Sequence, residues 1–264
     1  MLSERSKLSK TDRQIAVAVL VSVVFLWAFA GSAGDLVTAL QGLPYLLDYL
    51  QGMWPPDWCV LPELVEPLGE TLQSAIVGVS LAAAISVPFS FLAARNTSPL
   101  VVYWVSRSII AVLRGLPTLL WAIMFVSMVG LGPLAGVFAI TCHCVGTFGK
   151  LFSEAIESVG PRVRETMEAM SIDGATTRQI IAYGLFPEVW PFFVNFIAYY
   201  FEWGVRVGTI LGLVGAGGIG LRLTMSIRLF KRQETSAIIL VILAMVISID
   251  QFSRRVREKL LEDW

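Results

Sequence analysis

The chain has 264 residues, of which 56% are hydrophobic and 15% charged, and its mean hydropathy is +0.72. A soluble domain carries about 25% charged residues, so this chain has too little polar side chain to cover itself and is expected in a bilayer. Lys plus Arg equals Asp plus Glu at 20 each, and the absence of a basic run or finger motif excludes nucleic acid as a partner.

A hydrocarbon core is crossed by about 20 apolar residues of helix, and six segments qualify. The first runs from Ile15 to Ala30 behind Arg5, Lys7, Lys10 and Arg13. Its end, Ala28-Phe29-Ala30, mimics a signal-peptide cleavage site; the reading adopted is a retained anchor over 1–34. The others run from Leu72 to Ala94, Ser106 to Val129, Leu134 to Phe148, Trp190 to Val214 and Ser236 to Phe252. Pro88 and Pro117 are expected to kink their helices, and Arg114 interrupts the third segment.

Basic residues set orientation. The stretch 35–70 carries Asp35, Asp48, Asp57, Glu63, Glu66 and Glu70 without Lys or Arg, so it is expected outside. Within it, Leu36, Leu40, Leu43, Leu47 and Leu50 recur at helical spacing, as an amphipathic interfacial helix or an ordinary connector would show. Arg95, Lys150, Arg162, Arg164 and Arg178 fall inside, as do Arg254, Arg255, Arg257 and Lys259 of the tail 254–264. Both termini are therefore expected on the cytoplasmic side of the membrane. One segment breaks the rule: Arg222, Arg228, Lys231 and Arg232 are placed outside by helix parity. There Arg228 is a candidate for an outer gate, or for contact with lipid head groups.

Between the fourth and fifth segments lies an inner loop, with 151–187 as a unit inside the core 71–253. Gly160-Pro161 is read as opening a helix with proline at its first position. Asp173 would cap a second short helix, and Gly174 would permit the tight turn between them.

Several motifs lack the context their chemistry needs. Gly215-Ala-Gly217-Gly218-Ile-Gly220 spells a dinucleotide fingerprint, but it follows a membrane helix rather than a strand; a closely packed re-entrant turn is the better account. Gly149-Lys150 lacks the remainder of a phosphate loop. Cys142-His143-Cys144 cannot converge on one metal ion, because successive helix residues point about 100° apart. No metal site or catalytic set is assembled, and no enzyme activity is expected. The intramembrane charges remain: Glu202 and Arg206, four apart, share a face and can pair, as a structural ion pair or as part of a pathway. Arg107 and Arg114, seven apart, also share a face.

Glu168-Ala169-Met170-Ser171-Ile172-Asp173-Gly174, followed by Phe186-Pro187, resembles the "EAA" loop of ABC-importer permeases. Met170, Gly184 and Phe186 depart from that pattern. From Leu72 onward the order of motifs resembles the phosphonate- and phosphite-type importer permeases. These motifs are Arg114-x-x-Pro117, Val129-Gly-Leu-Gly-Pro-Leu-Ala-Gly136, Lys150-Leu-x-x-Glu154, Tyr183-Gly184-x-x-Pro187, Phe201-Glu202-x-x-x-Arg206 and the glycine run to Gly220. The resemblance implies an all-α, six-span membrane bundle with the methionine-permease-like fold, forming the path for phosphonate, phosphite or phosphate. The same fold in a permease for another small solute such as an amino acid, or an anion channel, is the alternative. It implies a second permease copy, identical or paralogous, two ATPase subunits holding ATP and Mg, an extracytoplasmic substrate-binding protein and a lipid surround. This chain would hold no cofactor. Coupling is expected at Glu165, Glu168, Ala169, Asp173, Gly174, Ala175 and Pro187. The pathway and gate are expected at Arg114, Glu202, Arg206, Gly215, Gly217, Gly218 and Arg228.

Overall fold

The computed structural model describes residues 10–169 and 180–262, which are helical apart from short turns. The chain divides into two compact units, Met1–Trp54 and Pro55–Trp264.

The first unit is α1, Lys10–Gln51, a single helix of 42 residues. At 1.5 Å of rise per residue it is about 63 Å long. The expected break between the first span and the segment beginning at residue 35 does not occur: α1 continues through Gly42 and Pro44. A proline removes one rung of hydrogen bonding and bends a helix; the leucine-rich turns on either side of Pro44 keep the rest of the ladder intact. Gln14–Gly31 is apolar enough to cross a membrane, and its residues are exposed around the whole circumference.

In the second unit Asp57 accepts the Cys59 N–H at 3.0 Å and caps a short turn, Trp58–Val60. The helices that follow are α2, Leu61–Leu92, α3, Leu100–Gly115, and α4, Thr118–Val129. Pro67 and Pro88 lie inside α2 without ending it. Pro117 acts more strongly. Leu116 is extended (φ −89°, ψ 128°), as the residue before proline prefers, and α3 and α4 meet at 86°. Next is α5, Pro133–Ala169. A π-helical turn, Ile180–Leu185, leads into α6, Phe186–Leu211, and the chain ends with α7, Gly218–Arg228, and α8, Arg232–Glu262. The expected helix start at Gly160-Pro161 is a correction: α5 runs through it to Ala169, so the inner loop begins about 20 residues later than the apolar pattern indicates. Hydropathy marks where a helix leaves lipid, not where its hydrogen bonding stops. Four helices are long and apolar enough to span a membrane, or up to six when each bent pair, α3–α4 and α6–α7, counts as one.

α5 is the axis of the second unit and packs on α2, α3, α4 and α6. Lipid supplies no hydrophobic drive between helices, so close packing and polar contacts must hold them. Gly204 lies on Ala75 and Val79, Gly208 on Thr71, and a Cβ on Gly78 would come 2.9 Å from Ile140. Ser74 donates to the Pro133 carbonyl (3.3 Å), Thr141 to Gly78 (3.2 Å) and Ser86 to Val145 (3.4 Å), forming polar rungs between α2 and α5. Below these, Phe148 stacks on Phe152 at 5.1 Å and Phe152 on Phe193 at 4.1 Å, tying α5 to α6.

Away from the glycine turn, Arg107 closes one end of the unit. Its Nη2 donates to both Glu157 oxygens at 2.9 Å, and its Nε donates to the Ala93 carbonyl at 3.1 Å. Glu157 also accepts the Arg95 N–H at 2.8 Å. Arg107→Ala is expected to destabilise the fold by about 1–3 kcal/mol, because Glu157 loses its cation while only partly solvated. Thermal unfolding of the purified complex checks this, and an unchanged melting temperature would remove the clasp from the stability account.

Candidate translocation site and gate

Of the expected pathway and gate residues, Gly215, Gly217 and Gly218 lie where α6 turns into α7. Gly212–Val214 forms a 3-10 turn, and Gly215, Gly217 and Gly218 take φ of 90°, 75° and 70°. Side chains at such angles are strained. Gly132 donates its N–H to the Gly215 carbonyl at 3.0 Å, tying the α4–α5 turn to this one. A Cβ on Gly217 would sit 2.6 Å from the Pro133 nitrogen. Gly212 and Gly220 press backbone to backbone, and a Cβ on Gly220 would overlap the Thr209 carbonyl. The turn is therefore a packed knot of main chain.

The amides that a dinucleotide fingerprint would aim at phosphate already have partners. The Gly218 N–H donates to Glu70 Oε2 at 2.8 Å, and the Ile219 N–H donates to Thr71 Oγ1 at 2.9 Å. A carboxylate at a helix N-terminus satisfies orphan donors and the helix dipole together. Glu70 and Thr71 on α2 thus cap α7 from 148 residues away. The sequence reading counted Glu70 only as an acidic residue of the loop; a cap so distant in the chain leaves no local pattern.

The four basic residues beside the knot fare differently. Arg222 pairs with Glu63 on α2 and with Glu234 on α8, the latter at 3.3 Å. Lys231 reaches Glu234 at 2.9 Å. Arg228, at the last position of α7, is exposed and makes no ion pair among the described residues.

The second location is on α6. Arg206 Nη2 donates to Glu202 Oε1 at 2.6 Å, so the expected pair forms. Glu202 is 8% exposed, whereas the Arg206 side chain is 53% exposed. Arg257 of α8 also reaches the carboxylate, with Nη2 3.6 Å from Oε2, and its guanidinium lies 5.8 Å from the centre of the Tyr199 ring. The sequence reading placed Arg257 in a cytoplasmic tail. Ser253, one turn earlier on the same face, donates to the Ala198 carbonyl at 3.1 Å, so this face of α8 packs on α6. Glu202 lies roughly 14 Å of helical rise from the end of α6, and Arg257 lies two residues past the apolar span Arg232–Arg255.

Arg114 is exposed in the last turn of α3 and makes no ion pair among the described residues, while its backbone lies against Gly146. It and Arg107 therefore do different things despite sharing a face. His143 stacks on Trp203 at 4.9 Å. Of the expected coupling residues, Glu165 is exposed on α5, Glu168 and Ala169 lie in its last turn, and Pro187 is exposed at the start of α6. Asp173, Gly174 and Ala175 lie outside the described residues.

Residues 86–260 match the family described as "binding-protein-dependent transport system inner membrane component". The chain is 40% identical over 243 residues to the phosphite transport system permease protein PtxC of Stutzerimonas stutzeri, covering 92% of this chain and 87% of that one. It is 38% identical to the putative phosphite transport system permease protein HtxC of the same organism, over 96% of this chain and 89% of that one. It is 36% identical to the phosphate-import permease protein PhnE of Mycolicibacterium smegmatis, over 79% of this chain and 39% of that one. Among solved structures, the inward-facing MetNI methionine ABC transporter matches with a TM-score of 0.64 at 22% identity, covering 77% of this chain and 99% of that one. An amino acid ABC transporter matches with a TM-score of 0.62 at 16% identity, covering 75% of this chain and 94% of that one. At these identities the structures speak for the fold alone.

Proposed function

The chain belongs to the family of binding-protein-dependent transport system inner membrane components, and from that premise we propose that it forms the translocation path for a small phosphorus oxyanion in an ATP-driven importer. The observation that carries the substrate class is the near full-length match to two permeases named for phosphite transport. The geometry is compatible with an anion: a half-exposed guanidinium, Arg206, stands within two turns of the end of a helix that runs into the packed glycine turn. Phosphonate, phosphite and phosphate share the tetrahedral oxyanion that an Arg fork grips bidentately.

In this reading two permease copies, identical or paralogous, sit on two ATPase subunits that hold ATP and Mg. An extracytoplasmic protein delivers the solute at the glycine-turn end. The segment between α5 and α6, with Glu165, Glu168, Ala169, Asp173, Gly174, Ala175 and Pro187, meets the ATPase on the cytoplasmic side, where both termini also lie. The deciding experiment is uptake into liposomes by the reconstituted complex, together with its ATPase stimulation, across phosphite, phosphonates, phosphate and methionine. Stimulation by a phosphorus oxyanion alone is the expected result. Stimulation by the amino acid alone would move the chain to the alternative substrate class that its fold also serves. Uptake without any ATPase would make it an anion channel.

Arg228, which makes no ion pair among the described residues, stands at the proposed outer mouth. A cationic mouth raises the local concentration of an anion. Arg228→Ala is expected to lower phosphite uptake about two- to fivefold at low ionic strength, with assembled complex unchanged and the deficit shrinking as salt screens the field. Labelling a single cysteine at this position tests the orientation: reactivity from the cytoplasmic side alone would reverse it.

A further inference from the structure

We propose that Arg257 keeps Arg206 available to the solute by occupying the second oxygen of Glu202. The inference rests on the oxyanion reading above and concerns how the site holds a spare charge. An arginine and a carboxylate left alone close into a fork, two parallel N–H···O bonds that use both oxygens and one edge of the guanidinium. That arrangement is neutral. Here the fork is not closed. Arg206 gives one nitrogen to Oε1, at 2.6 Å, while Oε2 faces Arg257 at 3.6 Å. One buried carboxylate between two guanidiniums leaves a net charge of +1.

The spare charge is presented unequally. The Arg257 side chain is 23% exposed and backed by the Tyr199 ring, whereas Arg206 is 53% exposed. A guanidinium has five N–H donors in a rigid plane, and Arg206 gives one nitrogen to Glu202. Among the described residues its remaining edge has no other partner, which leaves it open to a tetrahedral oxyanion of one or two charges. Glu202 then orients Arg206, and Arg257 is a positioning residue that prevents Glu202 from neutralising it. The cation comes from α8, so the charge at this site depends on where the last helix lies.

The test uses the full complex, with its ATPase and binding protein, in liposomes, and reads the initial rate of phosphite uptake beside the amount of assembled complex. Arg257→Gln lets Glu202 close on Arg206 and is expected to lower the rate about tenfold, the effect of losing one charge-assisted contact to the solute. Removing the carboxylate as well, in Glu202→Gln with Arg257→Gln, restores the +1 charge on Arg206 and is expected to return uptake to within about threefold of wild type. Arg257→Lys, which keeps the cation, is expected to stay near wild type. A purely structural ion pair gives the opposite pattern, with the double variant no better than Arg257→Gln, and that result overturns the inference. Wild-type uptake in Arg257→Gln overturns it as well. A wild-type complex that imports no phosphorus oxyanion overturns the substrate reading and this inference together, so the two failures are told apart by the wild-type control.

Discussion

Gly220→Ala is expected to abolish the assembled permease. The Cβ it adds would overlap the Thr209 carbonyl, and the neighbouring obstacle is Gly212, again main chain. Overpacking against a side chain costs about 1–3 kcal/mol because a rotamer can yield; backbone held by helix hydrogen bonds on both sides cannot. The expected loss exceeds that range and is enough to deplete the folded state of a marginally stable protein. Gly69→Ala is the matched control, since nothing lies within 4 Å of its Cβ position on α2. Alanine there is expected to be neutral or stabilising by up to about 1 kcal/mol. The yield of complex extracted from membranes checks both. Normal yield from Gly220→Ala would mean that α6 and α7 can separate at little cost.

Gly174→Asp is expected to leave the complex assembled while uptake falls at least about tenfold, the equivalent of about 1.4 kcal/mol of lost docking. By sequence, Asp173 is expected to cap a second short helix, and Gly174 to permit the turn before the helix-prone run from Ala175. A side chain there, charged as well, would change the shape of the surface proposed to meet the ATPase. The readout is ATPase stimulation by loaded binding protein, measured beside uptake. Uptake at the wild-type rate would remove this loop from the coupling mechanism.

Much of the architecture is legible in the sequence because local rules govern it. The Glu202–Arg206 pair follows from four-residue spacing, and the break at Pro117 follows from proline and the restriction it places on Leu116. The close packing at Gly215 and Gly217 follows from the density of residues without Cβ. The misreading at Gly160-Pro161 arose because proline was taken as a helix start: α5 passes it, as α1 passes Pro44, because one missing rung is a small loss in a helix of 37 or 42 residues. What the sequence hides is long-range. The Glu70 cap on α7 joins α2 to a helix 148 residues on, and Arg257 meets Glu202 across 55 residues. Neither leaves a periodicity, so each reads as an ordinary charge at the edge of an apolar run.

The clasp of Glu63, Arg222 and Glu234 bears on how the protein is made. In the proposed orientation the hairpin of α7 and α8 carries Arg222, Arg228, Lys231 and Arg232 to the outer face, against the usual bias of basic residues. The carboxylate of Glu63 belongs to α2, synthesised 159 residues before Arg222. During synthesis the counter-charge is therefore already in place when the last hairpin arrives. In that orientation the acidic end of α2 would add to the hairpin's own Glu234 as a counter-charge when the final pair of helices settles. A charge reversal at Glu63 would be felt as a failure of the C-terminal hairpin to insert, far along the chain from the altered residue.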